Sequence, residues 1–249
     1  MNRTESGRRA VVTGGARGIG LAIVRRLAED GFAVTAADIL KDPLHSSVSE
    51  LRGEGLDVGG VFVDVTNRRD VTKALHALER IDVVVAAHGI ILVKPFEEIS
   101  DEEFNRVLLV NLGGTFIVFQ EALKRMIAGG RMIAISSRGV LGDSDAAPYI
   151  ASKAAIVGLV RAMAFEFRQR DIAVNAIAPG FTDTDMVRQS YSAERFAAAA
   201  KNEPRRKAAD PAEIANAVSF LAAKRTTFIT GQTLFVDGGK SLGGLSSPI

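Results

Sequence analysis

Cysteine and tryptophan are absent from the 249 residues, and only 2 tyrosines occur. Without a thiol the chain can form no disulfide, no thiolate nucleophile and no cysteine-ligated metal site. The three histidines, His45, His76 and His88, lack metal-ligand spacing, so no metal is expected. A charge excess is missing too: 31 basic residues face 29 acidic ones, interspersed, for a net +2. That excludes the basic stripe of a nucleic-acid-binding surface, although a pI near 9.0 allows weak attraction of anions. No uninterrupted apolar run approaches the ~20 residues that span a bilayer. The opening M-N-R-T-E-S-G-R-R has no apolar h-region. Neither a secretory signal nor a membrane partner is therefore expected, and the cytoplasm is the default compartment. Repeats, low-complexity segments and internal linkers are lacking as well.

With 47% apolar and 24% charged residues the chain has the make-up of an ordinary globular protein. Its length suits one large α/β domain over residues 1–249. Short apolar runs recur at Arg9 to Thr13, Phe32 to Ala37, Val58 to Val63, Ile81 to Ala87, Arg131 to Ser136, Ile172 to Ala178 and Phe228 to Val236. Helical spacings lie between them: Ile19, Ile23 and Leu27 ahead of Gly31, Leu44 to Gly55, Asp70 to Arg80, a long helix from Ser100 toward Lys124, and Lys153 to Arg168. Ser100-x-x-Glu103 has capping-box form, and Asp210-Pro211-x-Glu213 reads as N-cap, first-position proline and first-turn acid. Strands alternating with helices imply a doubly wound parallel sheet with helices on both faces.

Two stretches carry chemistry. The first is T-G-G-A-R-G-I-G from Thr13 to Gly20, with Gly14, Gly18 and Gly20, set between a strand and a helix. Glycines there permit a tight turn and close backbone approach to a pyrophosphate at the positive end of the helix, the context of a dinucleotide site in a Rossmann-type fold. Asp38 closes the second strand about 20 residues on; a carboxylate there bonds an adenosine ribose and repels a 2′-phosphate, which favours NAD over NADP. Arg17 inside the turn is the counter-signal, since a guanidinium suits that phosphate. The second stretch runs from Ser137 to Lys153. Tyr149 and Lys153 stand four residues apart and share a helix face. An ammonium beside a phenol favours the phenolate, so the pair can exchange a proton with an alcohol or carbonyl oxygen near neutral pH.

These residues together resemble the short-chain dehydrogenase/reductase family, over a span from about Arg9 to Gly239. The glycine spacing is that family's T-G-x-x-x-G-x-G, with Ile19 inside it. The resemblance implies Tyr149 as acid/base, Lys153 lowering its pKa and holding the ribose, Ser137 bonding the substrate oxygen, and Asn111 supporting a proton relay through its carbonyl. It also implies cofactor contacts from Asp64 and Val65 beside the adenine, from Ala87 and Gly89, and from Pro179, Gly180, Thr182 and Thr184 near the nicotinamide. The family's usual Asn-Asn-Ala-Gly is here Ala86-Ala87-His88-Gly89, so the Asn side-chain bonds are missing. Of the adjacent serines, the thirteen-residue spacing to the tyrosine common in the family would choose Ser136, whereas the strand ending Ile-Ser-Ser selects Ser137, with one residue deleted from the loop Arg138 to Pro148. Residues 185–207, basic and interrupted, resemble a lid over substrate, with Phe181, Met186, Tyr191 and Phe196 as its apolar residues. The expected activity is hydride exchange between NAD(H) and a small secondary alcohol or ketone, in a homotetramer. A 3-oxoacyl-(acyl-carrier-protein) reductase is the alternative: Arg170 suits carrier docking and Ala128 does not. A dinucleotide-binding sensor or scaffold without turnover is the other.

Overall fold

Seven parallel strands form one sheet in the order β3-β2-β1-β4-β5-β6-β7 among the described residues, 7–242, of the computed structural model. They are β1 (Arg9–Thr13), β2 (Ala33–Asp38), β3 (Val58–Phe62), β4 (Ile81–Ala86), β5 (Met126–Ile135), β6 (Ala173–Pro179) and β7 (Thr233–Val236). The opening six residues, in which no apolar leader is expected, lie outside the described residues. Strand order reverses between β1 and β4, which leaves a crevice at their carboxyl ends. The side-chain period of two splits each central strand between two cores. Val12, Val83, Val85 and Ile133 pack under α1 (Gly18–Glu29), α2 (Lys41–Gly53) and α9 (Pro211–Ala222). Val11, Val84, Met132 and Ala134 pack under α3 (Arg68–His76), α5 (Gly114–Leu123) and α6 (Ala147–Phe167). Each fully buried Val, Leu or Ile contributes about 1.5–3 kcal/mol, and the sheet is buried on both faces as its apolar runs require.

The boundaries depart from the sequence reading where local chemistry is ambiguous. Helix α2 starts at Lys41, three residues early, because Pro43 sits in the first turn, where a missing N–H costs nothing. Helix α3 starts at Arg68, since Asn67 caps it by accepting from the Arg69 N–H at 3.0 Å. Gly129 and Gly130 do not separate helix from strand: β5 already begins at Met126 and passes them with a register shift against β4. β7 is only four residues long, since Ile229 and Thr230 spend their polar groups on Asn175 and Val174. Helix α6 includes Tyr149, starting at Ala147 rather than at Lys153.

The long helix from Ser100 is three pieces on one axis. Ser100 caps α4 (Asp101–Leu108) in a complete capping box with Glu103. A π-helical turn, Leu109–Gly113, then links it to α5. The 23-residue run Asp101–Leu123 is long and apolar enough to cross a membrane by composition, against the expectation from uninterrupted apolar runs. It opens on three acids and turns Val118, Phe119 and Ala122 into the sheet, as a core helix does.

Candidate active site

The strand ends bring the predicted residues to one edge of the sheet. The glycine turn follows β1, Asp38 ends β2, Asp64 and Val65 follow β3, and Ala87 to Gly89 follow β4; Ser137 follows β5, and Pro179 ends β6 just before Gly180. Gly14 has φ +71, and a Cβ there would fall 2.7 Å from the His88 backbone. A Cβ on Gly20 would stand 1.9 Å from the Gly14 carbonyl oxygen. The turn therefore has a bare backbone at the head of α1, the cradle a dinucleotide pyrophosphate requires. Gly18 faces it from the other side, where a Cβ would meet the Thr184 side chain at 3.5 Å. Arg17 is exposed at the N-cap of α1 and Ile19 is half-buried against the core.

Asp38 is buried and anchored by the backbone. Its Oδ2 accepts from the Ala16 N–H and its Oδ1 from the Leu40 N–H, both at 3.0 Å. The same bonds shape the glycine turn, so the carboxylate organises the turn as well as presenting charge. Asp64 accepts from the Thr66 N–H at 2.9 Å and hydroxyl at 2.7 Å, which turns the chain toward α3. Thr182 is buried, donating to the Gly180 carbonyl at 3.0 Å, while Thr184 caps α7 (Asp185–Ser190) by accepting from Val187 N–H.

Ser136 and Ser137 divide as successive strand residues must. Ser136 is buried and donates to the Lys153 carbonyl at 2.9 Å. Ser137 keeps some exposure, accepts from the Gly139 N–H at 3.0 Å, and stands close enough to Tyr149 for its hydroxyl to favour the phenolate. Lys153 Nζ donates to the Ile135 carbonyl at 2.7 Å and lies 5.7 Å from the Tyr149 ring centre. Burial lowers the Lys153 ammonium from 10.5 to about 8. Burial also raises the Tyr149 phenol, and the Ser137 hydroxyl only partly offsets that rise. The expected lowering of the phenol by Lys153 is therefore not what governs here. The ammonium spends a hydrogen bond on Ile135, and desolvation is the larger effect.

Asn111 occupies the π-helical turn and is fully buried. Its side chain accepts from Ile90 N–H at 2.8 Å and donates to the Ile90 carbonyl at 3.0 Å and to Ser152 Oγ at 2.9 Å. Its main-chain carbonyl, the atom assigned to the relay, accepts from Thr115 Oγ1 at 2.7 Å. A Cβ on Gly89 would meet Asn111 Oδ1 at 3.2 Å and Lys153 Nζ at 3.4 Å, so these three positions converge. His88 both fills space and makes a polar contact: its Nδ1 lies 2.6 Å from Thr13 Oγ1, tying β4 to the glycine turn. Burial first and the Lys153 ammonium second push its pKa down to about 3. It is neutral at working pH.

Residues 185–207 form α7 and α8 (Ala193–Lys201) with the turn after them, and neither helix has a buried residue. Phe181 holds them from beneath, 5.1 Å from the Phe196 ring and 5.9 Å from that of Tyr191. Arg195 reaches Asp145 in the loop before α6 at 3.6 Å. A cavity of about 310 Å³ lies at the base of this segment, lined by Gly180, Phe181, Glu203 and Asp237. A larger one, about 870 Å³, lies on the outer face of α4 and α5, away from Tyr149.

Known proteins share this fold. The family profile described as enoyl-(acyl carrier protein) reductase matches residues 14–241. The 3-oxoacyl-[acyl-carrier-protein] reductase FabG of Rickettsia bellii is 36% identical over 241 residues, covering 94% of this chain and 97% of that protein. The 5-keto-D-gluconate 5-reductase of Escherichia coli K12 is 34% identical over 242 residues, covering 94% and 95%. A crystal structure from Beutenbergia cavernae, assigned as a NAD(P)-dependent gluconate 5-dehydrogenase and holding NADP, superposes with a TM-score of 0.91 at 33% identity, covering 98% and 100% of the two chains. With the glycine turn, the parallel sheet and these relatives in agreement over nearly its whole length, the chain belongs to the short-chain dehydrogenase/reductase family of oxidoreductases.

Proposed function

We propose that the protein oxidises or reduces a small secondary alcohol or ketone with NAD(H), using Tyr149 as the acid/base. The observation that carries this reading is the convergence of Ser137, Tyr149, Lys153 and Asn111 beside the glycine turn. The nicotinamide supplies the two-electron chemistry when bound. Gly14, Gly18 and Gly20 would give the dinucleotide's pyrophosphate a bare backbone to lie on, with Val65, Ala87, Pro179 and Thr184 as the residues that would flank the rest of it. Ser137 donates to the substrate oxygen and opposes the rise of the phenol. Tyr149 gives its proton to that oxygen in reduction and takes one back in oxidation. Lys153 holds a positive charge beside the phenolate that forms, and Asn111 fixes the backbone at Gly89 and Ile90 around it.

Asp38 supports NAD over NADP, because a buried carboxylate held by two backbone amides cannot turn aside for a 2′-phosphate. The NADP complex of the Beutenbergia relative and the exposed Arg17 weigh on the other side. For substrate, the gluconate reductase relative favours a small polyol or hydroxy acid. The FabG relative favours the second reading, a 3-oxoacyl-(acyl-carrier-protein) reductase, for which Arg170 near the end of α6 would be a docking cation. We read residues 1–249 as one domain with residues 185–207 as its lid. A homotetramer is supported by the apolar outer face of α4 and α5, where Leu109 and Phe116 are about half exposed.

Tyr149→Phe removes the proton donor and little volume. It is expected to bind NADH as the native protein does, by fluorescence titration, and to lose turnover across a panel of secondary alcohols and ketones. Activity within a few-fold of the native protein would overturn the assignment.

A further inference from the structure

His88 stands where the sheet opens, and no step of the proposed reaction uses it. The pairing of β1 with β4 ends at Thr13 and Ala86, and one main-chain bond follows, from the Ala87 N–H to the Thr13 carbonyl at 3.1 Å. Beyond it the chain leaves β1 through Gly14. On the β2 side the glycine turn is held by the Ala37 carbonyl, which accepts from the Gly15 N–H at 3.2 Å, and by Asp38, which accepts from Ala16. On the β4 side the Thr13 hydroxyl meets His88 Nδ1 at 2.6 Å, far closer than the Val85 carbonyl at 3.4 Å. The His88 backbone also lies against Gly14, where an added Cβ would fall 2.7 Å from its N and Cα. The far edge of the ring packs on the start of α5, since a Cβ on Gly114 would fall 2.8 Å from Nε2. Val110 in the π-helical turn offers the ring a main-chain acceptor, but Nε2 is buried and makes no well-formed hydrogen bond to it. A residue that only filled this space would be apolar and free of that cost, so the advantage of an imidazole here is its contact with Thr13.

We propose that His88 is a positioning residue for the dinucleotide: wedged between Gly114 and Thr13, it holds the glycine turn in its binding conformation before the cofactor arrives. This rests on the dinucleotide-binding part of the reading given above. A turn ordered in advance loses less conformational freedom on binding, so affinity rises without a new contact to the ligand. The ring does this while neutral, because burial and the nearby Lys153 ammonium both disfavour an imidazolium. Its role lies in binding and not in proton transfer, so its removal is read in the affinity for NADH.

The test is NADH titration by fluorescence beside melting curves. His88→Ala should weaken NADH binding by about threefold to thirtyfold, the scale of one buried hydrogen bond lost. His88→Asn puts a polar atom near the place of Nδ1 and should recover most of the affinity. His88→Gln, whose polar atoms fall nearer the place of Nε2, should recover little. Thr13→Val removes the hydroxyl at nearly constant shape and should cost about as much as His88→Ala, while the double variant should bind little worse than either. Leu75→Ala, a core truncation near the end of α3 and just before β4 begins, should melt lower and bind NADH as the native protein does. If His88→Ala does not fold, His88→Gln against His88→Asn makes the same comparison. Native-like NADH binding by the folded His88 variants, or losses in His88→Ala and Thr13→Val that simply add, would overturn the proposal and leave the dinucleotide site standing. A native protein that binds neither NADH nor NADPH would overturn the dinucleotide reading itself, and this role with it.

Discussion

At the scale of single residues, the two serines that end β5 differ by one peptide bond and have opposite surroundings. Ser136 is committed to the Lys153 carbonyl inside the core, whereas Ser137 accepts from the Gly139 N–H and lies beside the phenol. Losing a preorganised donor typically costs ~10²–10³-fold in turnover, so Ser137→Ala should fall that far in kcat. Ser136→Ala should lose thermal stability first, and steady-state kinetics beside melting curves of the two variants will rank them. Lys153 gives a second expectation, in pH. Its folded pKa of about 8 lies below the ordinary 10.5, so between those values the unfolded chain binds more protons. Stability contributed at this site therefore rises with pH across that window, with a slope of up to about 1.4 kcal/mol per unit. The raised Tyr149 phenol acts only above its ordinary value of 10.0, so the clean range is about 8 to 10. Urea unfolding at several pH values should show this slope in the native protein and lose it in Lys153→Met.

At the scale of elements, the junction of β1 with α1 is where folding and binding meet. Gly20 is the first-turn residue on which the glycine turn rests, and a methyl group there would collide with the Gly14 carbonyl. Backbone, unlike a flexible side chain, cannot step aside cheaply. Gly20→Ala is expected to destabilise the protein by about 1–3 kcal/mol, the usual cost of overpacking, and to weaken NADH binding together with it. Fluorescence titration and denaturant melts on the same variant check both; native-like binding would mean that the turn is not the cradle. The π-helical turn at Leu109–Gly113 is the other decisive element. It displaces one residue from the helical repeat, and Thr115 takes the Asn111 carbonyl while the Asn111 side chain ties α4 and α5 to Ile90 and α6.

At the scale of the molecule, two cores lie on either side of one sheet, and every chemistry-bearing residue lies at the sheet's carboxyl edge. The outer face of α4 and α5 is left apolar, with Leu109, Leu112 and Phe116 around the larger cavity. Burying that face between copies is the most economical account of it. Light scattering should therefore report a mass near four chains, and Leu109→Asp with Phe116→Asp should lower it while the far-ultraviolet circular dichroism stays native. A native protein that runs as a monomer at micromolar concentration would remove the tetramer from the proposal.

The sequence alone determined the parallel sheet, since uninterrupted apolar strands alternating with amphipathic helices admit little else. It also determined the glycine turn, the capping box at Ser100 and the N-cap at Asp210, because each is a short-range hydrogen-bond pattern written in consecutive residues. Tyr149 and Lys153 were legible through helical spacing, and Ser137 and Asn111 only through resemblance. The tertiary structure decided what depends on distant contacts. The π turn at Asn111 is invisible to periodicity, because it is held by Ile90 and Ser152 from other elements. The link from His88 to Thr13 crosses 75 positions of sequence. The direction of the Tyr149 shift was likewise beyond the sequence, since spacing brings an ammonium near a phenol but only folding sets how much water each one loses.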